Sequence, residues 1–256
     1  MKWPTSVTLM RHALSAYNIL KAQKAEDPLY QAFVAAYKQD YRSPEALDLA
    51  AQIKEKYSLG VSDFDTPITE LGKERTRETG RHLLEHIELP DIILHSPYRR
   101  TCDTLEELCV GCPELRSVRA IEEDRIREQD HGLSVLYNDW RVFHCFHPEQ
   151  KAYYYLLGPY WYQFPQGENI PNVRDRARSM TATIIREYQG QRVLMVTHHL
   201  TILSWRANFE RLSDKQFVTL DKTEKPENCS LTQYVGNPNA GNNGKLELNF
   251  YNKILY

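Results

Sequence analysis

Three apolar runs in this 256-residue chain end in side chains that carry or share protons. Val7–Met10 runs into Arg11-His12. Ile92–Leu94 runs into Ser96-Pro97 and then Arg99-Arg100. Val193–Val196 runs into Thr197-His198-His199. Any one of these pairs alone reads as a hydrated strand end. In an open α/β sheet, however, ligands bind beyond the carboxyl ends of the strands. Three such ends would bring guanidinium and imidazole groups to one crevice, where like charges repel unless an anion joins them. A phosphoryl group is the natural occupant, because its three oxygens match several fixed donors.

The elements that must position these groups are legible. Strand-like runs occur at Val7–Met10, Ile92–Leu94, Val118–Ile121, Val193–Val196, Leu231–Val235 and Leu246–Tyr251, with helical patterns between most of them. The alternation predicts an α/β protein, a three-layer sandwich with a mostly parallel central sheet flanked by helices. The Asn/Gly-rich stretch 236–244 reads as a loop or hairpin. Residues 1–256 are expected to form a single domain with two insertions, at about 20–62 and 133–164. Ser43-Pro44-Glu45 is a helix start in the first, with Ser as cap and Pro in the first turn. The second is rich in Tyr, Trp, His and Phe, and neither insertion has many aliphatic residues.

Composition narrows the classes of function. A net charge of −2 supplies no electrostatic footprint for nucleic acid or an acidic membrane surface. Five cysteines, an odd and sparse set, do not read as a disulfide framework. No segment approaches a membrane span, and the first residues lack a long apolar run. A reducing, cytoplasmic setting is expected.

The order of the short motifs resembles the histidine phosphatase superfamily, in the branch of the phosphoglycerate mutases and related phosphatases. The R-H-G-x-S-x-x-N opening stands here as Arg11-His12-Ala13-Leu14-Ser15-Ala16-Tyr17-Asn18. A Pro-Leu-Thr-x-x-Gly turn stands as Pro67-Ile68-Thr69-Glu70-Leu71-Gly72. Ser96-Pro97 through Arg100 to Thr104, then Arg127-Glu128, then Gly167-Glu168-Asn169 with Arg176, and finally His198 follow in family order, with Asn228-Cys229-Ser230 resembling the last core strand. The resemblance implies that His12 is the nucleophile and forms a phosphohistidine. It implies that Glu128 protonates the leaving oxygen, and that Arg11, Asn18, Arg100 and His198 bind phosphate. Neither a metal nor another cofactor is implied. Two positions depart from the pattern: the glycine after each histidine is replaced, by Ala13 and by His199.

Other patterns compete. His82-Leu-Leu-Glu-His86 matches the H-x-x-E-H of inverted zinc peptidases, but Leu71, Leu83, Leu84 and Ile87 mark a buried side that leaves both histidines on a polar stripe. Cys109-x-x-Cys112 resembles half a zinc site, with His144 and His147 as conceivable partners, and has no second cysteine pair. A mutase needs extra basic residues in the insertion after the acid; 133–164 holds only Arg141 and Lys151, among ten Tyr, Trp and Phe side chains named by their clustering at Tyr137–Tyr162. That composition favours a phosphatase acting on an organic phosphate of apolar or ring character. The alternatives are a mutase-type phosphoryl transferase and a weakened relative that only binds phosphorylated ligands. The expected partner is a small phosphorylated molecule.

Overall fold

The computed structural model describes residues 2–256. In chain order the elements are β1 (Ser6–Arg11), α1 (Ala16–Glu26), α2 (Pro28–Asp40), α3 (Pro44–Lys56), α4 (Glu70–Leu83), β2 (Ile92–His95), α5 (Arg99–Gly111), β3 (Ala120–Glu122), α6 (Trp140–Phe146), α7 (Pro148–Trp161), α8 (Ile170–Glu187), β4 (Arg192–Thr197), α9 (His199–Phe209), α10 (Asp214–Thr223), β5 (Leu231–Asn237) and β6 (Lys245–Lys253). The chain divides into two compact units. One comprises residues 2–15, 64–128 and 172–256; the other comprises 16–63 and 129–171.

The first unit is built on a six-stranded sheet in the order β3-β2-β4-β1-β5-β6. β3, β2, β4 and β1 run parallel, whereas β5 is antiparallel to both of its neighbours. Its central strands are apolar on both faces, as a sheet covered on both sides requires. Val7, Leu9, Ile92, Leu94, Val193 and Met195 pack with Ala177, Met180 and Ile184 of α8 and with Ile202 and Trp205 of α9. Met10, Ile93 and Leu194 face the opposite layer, with Leu83 of α4 and Leu108 of α5. The α/β sandwich is thus three layers deep, with a mostly parallel sheet. Five of the six strands fall on the expected runs; β3 forms at Ala120–Glu122, shifted from 118–121.

One face was misread. Leu83 and Ile87 are buried, but Leu71 and Leu84 are exposed. The inner side of α4 is instead Gly72, Thr76, Thr79, Gly80 and Leu83. The reason is close approach: a Cβ on Gly80 would lie 2.8 Å from the Leu108 carbonyl oxygen, and one on Gly111 would lie 2.1 Å from that of Arg77. Small residues let α4 and α5 meet backbone to backbone, and Leu83 is the one leucine of α4 on this face.

The second unit gathers α1, α2, α3, α6 and α7. Asp27 caps α2 and Ser43 caps α3, each ahead of a proline in the first turn. Its core is largely aromatic: Tyr30, Phe33, Tyr37 and Tyr57 pack with Ile53, Val142 and Cys145. Rings supply the buried area that aliphatic residues supply elsewhere. A buried ion pair anchors it. Lys24 Nζ lies 2.8 Å from Asp139 Oδ2, which also accepts from the Tyr30 hydroxyl at 2.6 Å, while Asp139 Oδ1 accepts from the Arg141 amide. Removing one partner leaves the other charge buried and uncompensated. Lys24→Met is therefore expected to lower the unfolding free energy by about 3–5 kcal/mol in urea denaturation; a loss under about 1 kcal/mol would show that the pair is hydrated like a surface contact.

Candidate active site

The site residues of the first unit come from three neighbouring strands. β1 lies beside β4 and β4 beside β2, with Arg11 in register with Thr197 and His95 in register with Val196. The backbone continues the ladder past the strand ends: the His12 amide donates to the Thr197 carbonyl at 2.9 Å, and the Ser96 amide donates to that of Val196 at 3.1 Å. His12, Ser96 and His198 therefore leave the sheet side by side at its carboxyl edge. The rings of His12 and His198 are 5.2 Å apart, and His198 Nε2 is hydrogen-bonded to Ser96 Oγ at 2.8 Å.

Of the adjacent arginines, Arg100 is buried and Arg99 is exposed, its guanidinium 3.8 Å from Asp103. The Arg100 guanidinium lies 4.6 Å from the centroid of the Tyr98 ring, and that ring meets His198 edge-on at 5.1 Å. Arg11 donates to the Pro226 carbonyl at 2.6 Å. Burial, together with the charges of Arg100 and Arg11, holds His12 well below the ordinary imidazole range. Burial, Arg100 and His12 itself do the same to His198. Both imidazoles are consequently neutral near pH 7.

The proton on His12 is located by its neighbour. Nδ1 lies 2.8 Å from the Ala13 carbonyl oxygen, which can only accept. Nδ1 therefore carries the hydrogen, and the lone pair resides on Nε2. The Ala13 amide in turn donates to Thr104 Oγ1 at 2.9 Å. Ala13 is fully buried and has no positive φ, so the methyl group in place of the family glycine imposes no backbone strain. His199 opens α9, and its Nε2 lies 2.9 Å from Asp221 of α10.

Glu128 is held from several directions. Its carboxylate accepts from the Leu200 amide in the first turn of α9, at 3.2 Å to the nearer oxygen. Its own carbonyl accepts from Arg176, which also binds the carbonyls of Arg125 and Arg127; Thr201 Oγ1 donates to the Arg127 carbonyl at 2.6 Å. Thr197 Oγ1 donates to the Ile126 carbonyl at 2.6 Å. The first unit thus brings together Arg11, His12, Arg100, Glu128 and His198. Asn18 lies on α1, in the second unit. Sequence reading passed over Tyr98, Thr201 and Asp221; only the placement of Tyr98 inside the Ser-Pro motif could have drawn attention to it.

The competing motifs take other partners. His82 sits 3.1 Å from both Glu78 and Glu85, whereas His86 Nδ1 accepts from Lys253 at 2.9 Å. The Cys112 thiol lies 3.4 Å from Glu114; His144 and His147, in the second unit, contact the hydroxyls of Tyr37 and Tyr137. Among the described residues no group of three His, Cys, Asp or Glu side chains is arranged to hold a metal ion. The aromatic residues of the insertion divide: Phe143, Tyr160 and Tyr162 are buried, with Phe143 and Tyr162 meeting Phe164 edge-on, whereas Trp140, Phe146, Tyr153, Tyr155 and Trp161 are exposed. No helix among the described residues is long and apolar enough to cross a membrane.

Known proteins resemble this chain in sequence and in fold. The chain is 29% identical to a phosphoglycerate mutase-like protein of Arabidopsis thaliana, over 59% of this chain and 62% of that one. It is 27% identical to phosphoserine phosphatase 1 of Hydrogenobacter thermophilus, over 53% and 60%. The chain thus spans about three-fifths of the length of these curated relatives. Its fold matches the structure of a mycobacterial glucosyl-3-phosphoglycerate phosphatase with inorganic phosphate (TM-score 0.64, 16% identity, 97% of each chain). It also matches a putative alpha-ribazole-5'-P phosphatase from Escherichia coli (TM-score 0.66, 14% identity, 98% of each chain). Residues 56–246, a stretch that includes Ser96, Arg100, Glu128 and His198 and begins after His12, match the histidine phosphatase superfamily (branch 1), and the chain belongs to that family.

Proposed function

We propose that this protein is a phosphomonoesterase that works through a phosphohistidine on His12. The observation that carries this reading is the setting of that imidazole: buried, hydrogen-bonded through Nδ1 to the Ala13 carbonyl, and set among Arg11, Arg100 and His198. Nε2 attacks phosphorus with its lone pair as the bond to the ester oxygen breaks. Glu128 gives that oxygen its proton. Glu128 then takes a proton from water, the water oxygen attacks phosphorus, and the P–N bond breaks to release orthophosphate and neutral His12. Arg11, Arg100 and His198 stabilise charge on the equatorial oxygens, which supplies most of the acceleration in phosphoryl transfer. The step needs no metal and no other cofactor.

The contacts of the insertion favour hydrolysis over mutase chemistry. Arg141 lies 4.3 Å from the Trp140 ring, and Lys151 lies 3.5 Å from that of Tyr41. Both cations of 133–164 are thereby engaged inside the second unit. On the side of the phosphate donors, Tyr98 packs against Arg100 and His198 and carries the half-exposed Phe64 at 5.3 Å. This aromatic pair supports an organic phosphate with an apolar or ring-bearing leaving group.

Brief incubation with a labelled aryl phosphate, followed by rapid quenching in alkali, is expected to trap phosphate on His12. His12→Ala should lose both the label and turnover, and chelator should leave the wild-type rate unchanged. Unlabelled protein with tight phosphate binding would favour the non-catalytic relative; label that passes to an added alcohol in preference to water would favour the transferase. Because His12 is shifted below its ordinary value, it stays unprotonated as pH falls through 6.5. The acid limb of kcat/KM, which reports the free enzyme, is therefore expected well below pH 6.5, and a His12 limb centred near 6.5 would show a solvated, unshifted nucleophile.

A further inference from the structure

The loop between α10 and β5 takes no part in the chemistry above, yet it holds the nucleophile turn at several points. Arg11 donates to the Pro226 carbonyl at 2.6 Å. The Cys229 amide donates to the Arg11 carbonyl at 3.1 Å. Between these, the side-chain amide of Asn228 donates to the His12 carbonyl at 2.9 Å and to the Ala13 carbonyl at 3.3 Å. The last oxygen is the one that accepts from His12 Nδ1.

We infer that Asn228 is a positioning residue, whose side-chain amide clamps the carbonyls of His12 and Ala13 and so fixes which ring nitrogen of His12 carries the proton. The inference rests on the phosphohistidine reading. A carbonyl oxygen fixes a tautomer only if it is itself held in place, since otherwise it can turn away and the hydrogen can move to Nε2. Asn228 is suited to the task because an amide NH2 has two hydrogens, and here it spans two successive carbonyls. Neither carbonyl can hold the other, for both only accept.

The backbone around Asn228 is shaped to this end. Cys229, a buried residue with a Cβ, adopts φ 61°, a left-handed conformation that costs about 1 kcal/mol for such residues. The turn is closed by the Ser230 amide donating to the Glu227 carbonyl, and its entry is pinned where the Glu227 amide donates to Asn252 Oδ1 at 2.6 Å. Cys229 Sγ lies 3.2 Å from Thr76 Oγ1, which fixes the residue inside the first unit. Strain of this kind persists where surrounding contacts over-determine it, and it recurs at functional sites.

Asn228→Ala removes both donors, and Asn228→Asp replaces them with a carboxylate of nearly equal volume facing two carbonyl oxygens. Imidazole 15N shifts of His12 read the tautomer without any need for turnover. The wild type is expected to show a single form with hydrogen on Nδ1. Asn228→Ala should show an exchange between Nδ1-H and Nε2-H forms, with kcat down about tenfold to a hundredfold and KM little changed. Asn228→Asp should also move the acid limb of kcat/KM upward, because a nearby negative charge favours imidazolium. A wild-type tautomer pattern together with wild-type kcat in folded Asn228→Ala would overturn the inference, as would an unmoved acid limb in Asn228→Asp. If the wild type carries no phosphohistidine but the 15N shifts still respond to Asn228, the clamp stands and the phosphatase reading fails.

Discussion

Two neutral imidazoles are buried beside two guanidiniums at the carboxyl ends of adjacent strands, and the rest of the first unit is arranged around that juxtaposition. Protonating either ring would add a third positive charge to a desolvated cluster. At an effective dielectric of about 20, like charges 4 Å apart repel by about 4 kcal/mol. Burial and repulsion act in the same direction on His12 and His198. The cluster is thus electropositive without being protonated: it keeps a lone pair available while presenting fixed cations to an anion. A tetrahedral oxyanion neutralises the guanidiniums and accepts from the donors around it, so ligand and site relieve the same electrostatic cost.

Holding such a cluster needs contacts from every side, and the hydrogen-bond partners come from outside the strands. Thr104 of α5 takes the Ala13 amide, Ser96 takes His198 Nε2, and Asn228 takes the carbonyls of the nucleophile turn. Arg176 and Thr201 hold the backbone that carries Glu128. Each of these side chains pairs with a main-chain group or with the ring it orients, which leaves the reacting face of His12 set by neighbours and not by its own rotamer freedom. The loss of both family glycines is compatible with this scaffold. Ala13 has an ordinary backbone conformation, and His199 extends toward Asp221.

The sheet and the strand-end residues were legible because both follow from local pattern. Apolar runs of three or four residues ending in charged or titratable side chains identify β1, β2 and β4, and the order of short motifs groups His12, Arg100, Glu128 and His198 as a set. What stayed hidden depends on contacts distant in the chain. The inner face of α4 was read from its leucines, but Gly80 and Gly111 decide it through the backbone of a second helix. The aromatic residues of 133–164 read as a pocket wall, but composition does not distinguish a ring that fills a core, as Phe143 and Tyr162 do, from one that meets solvent, as Tyr153 and Tyr155 do. Asn228 was legible only as a match to the last core strand, since its role comes from a turn with left-handed Cys229 that no periodicity marks.

The central claim is that His12 and His198 are uncharged across the physiological range because burial and the guanidiniums of Arg100 and Arg11 oppose their protonation. Titration of the two imidazoles by NMR, followed through their ring C–H resonances, tests it most directly. The account predicts that neither ring protonates as the solution passes through pH 6.5 and that both titrate well below it. A midpoint for His12 near the ordinary value of about 6.5 would contradict it.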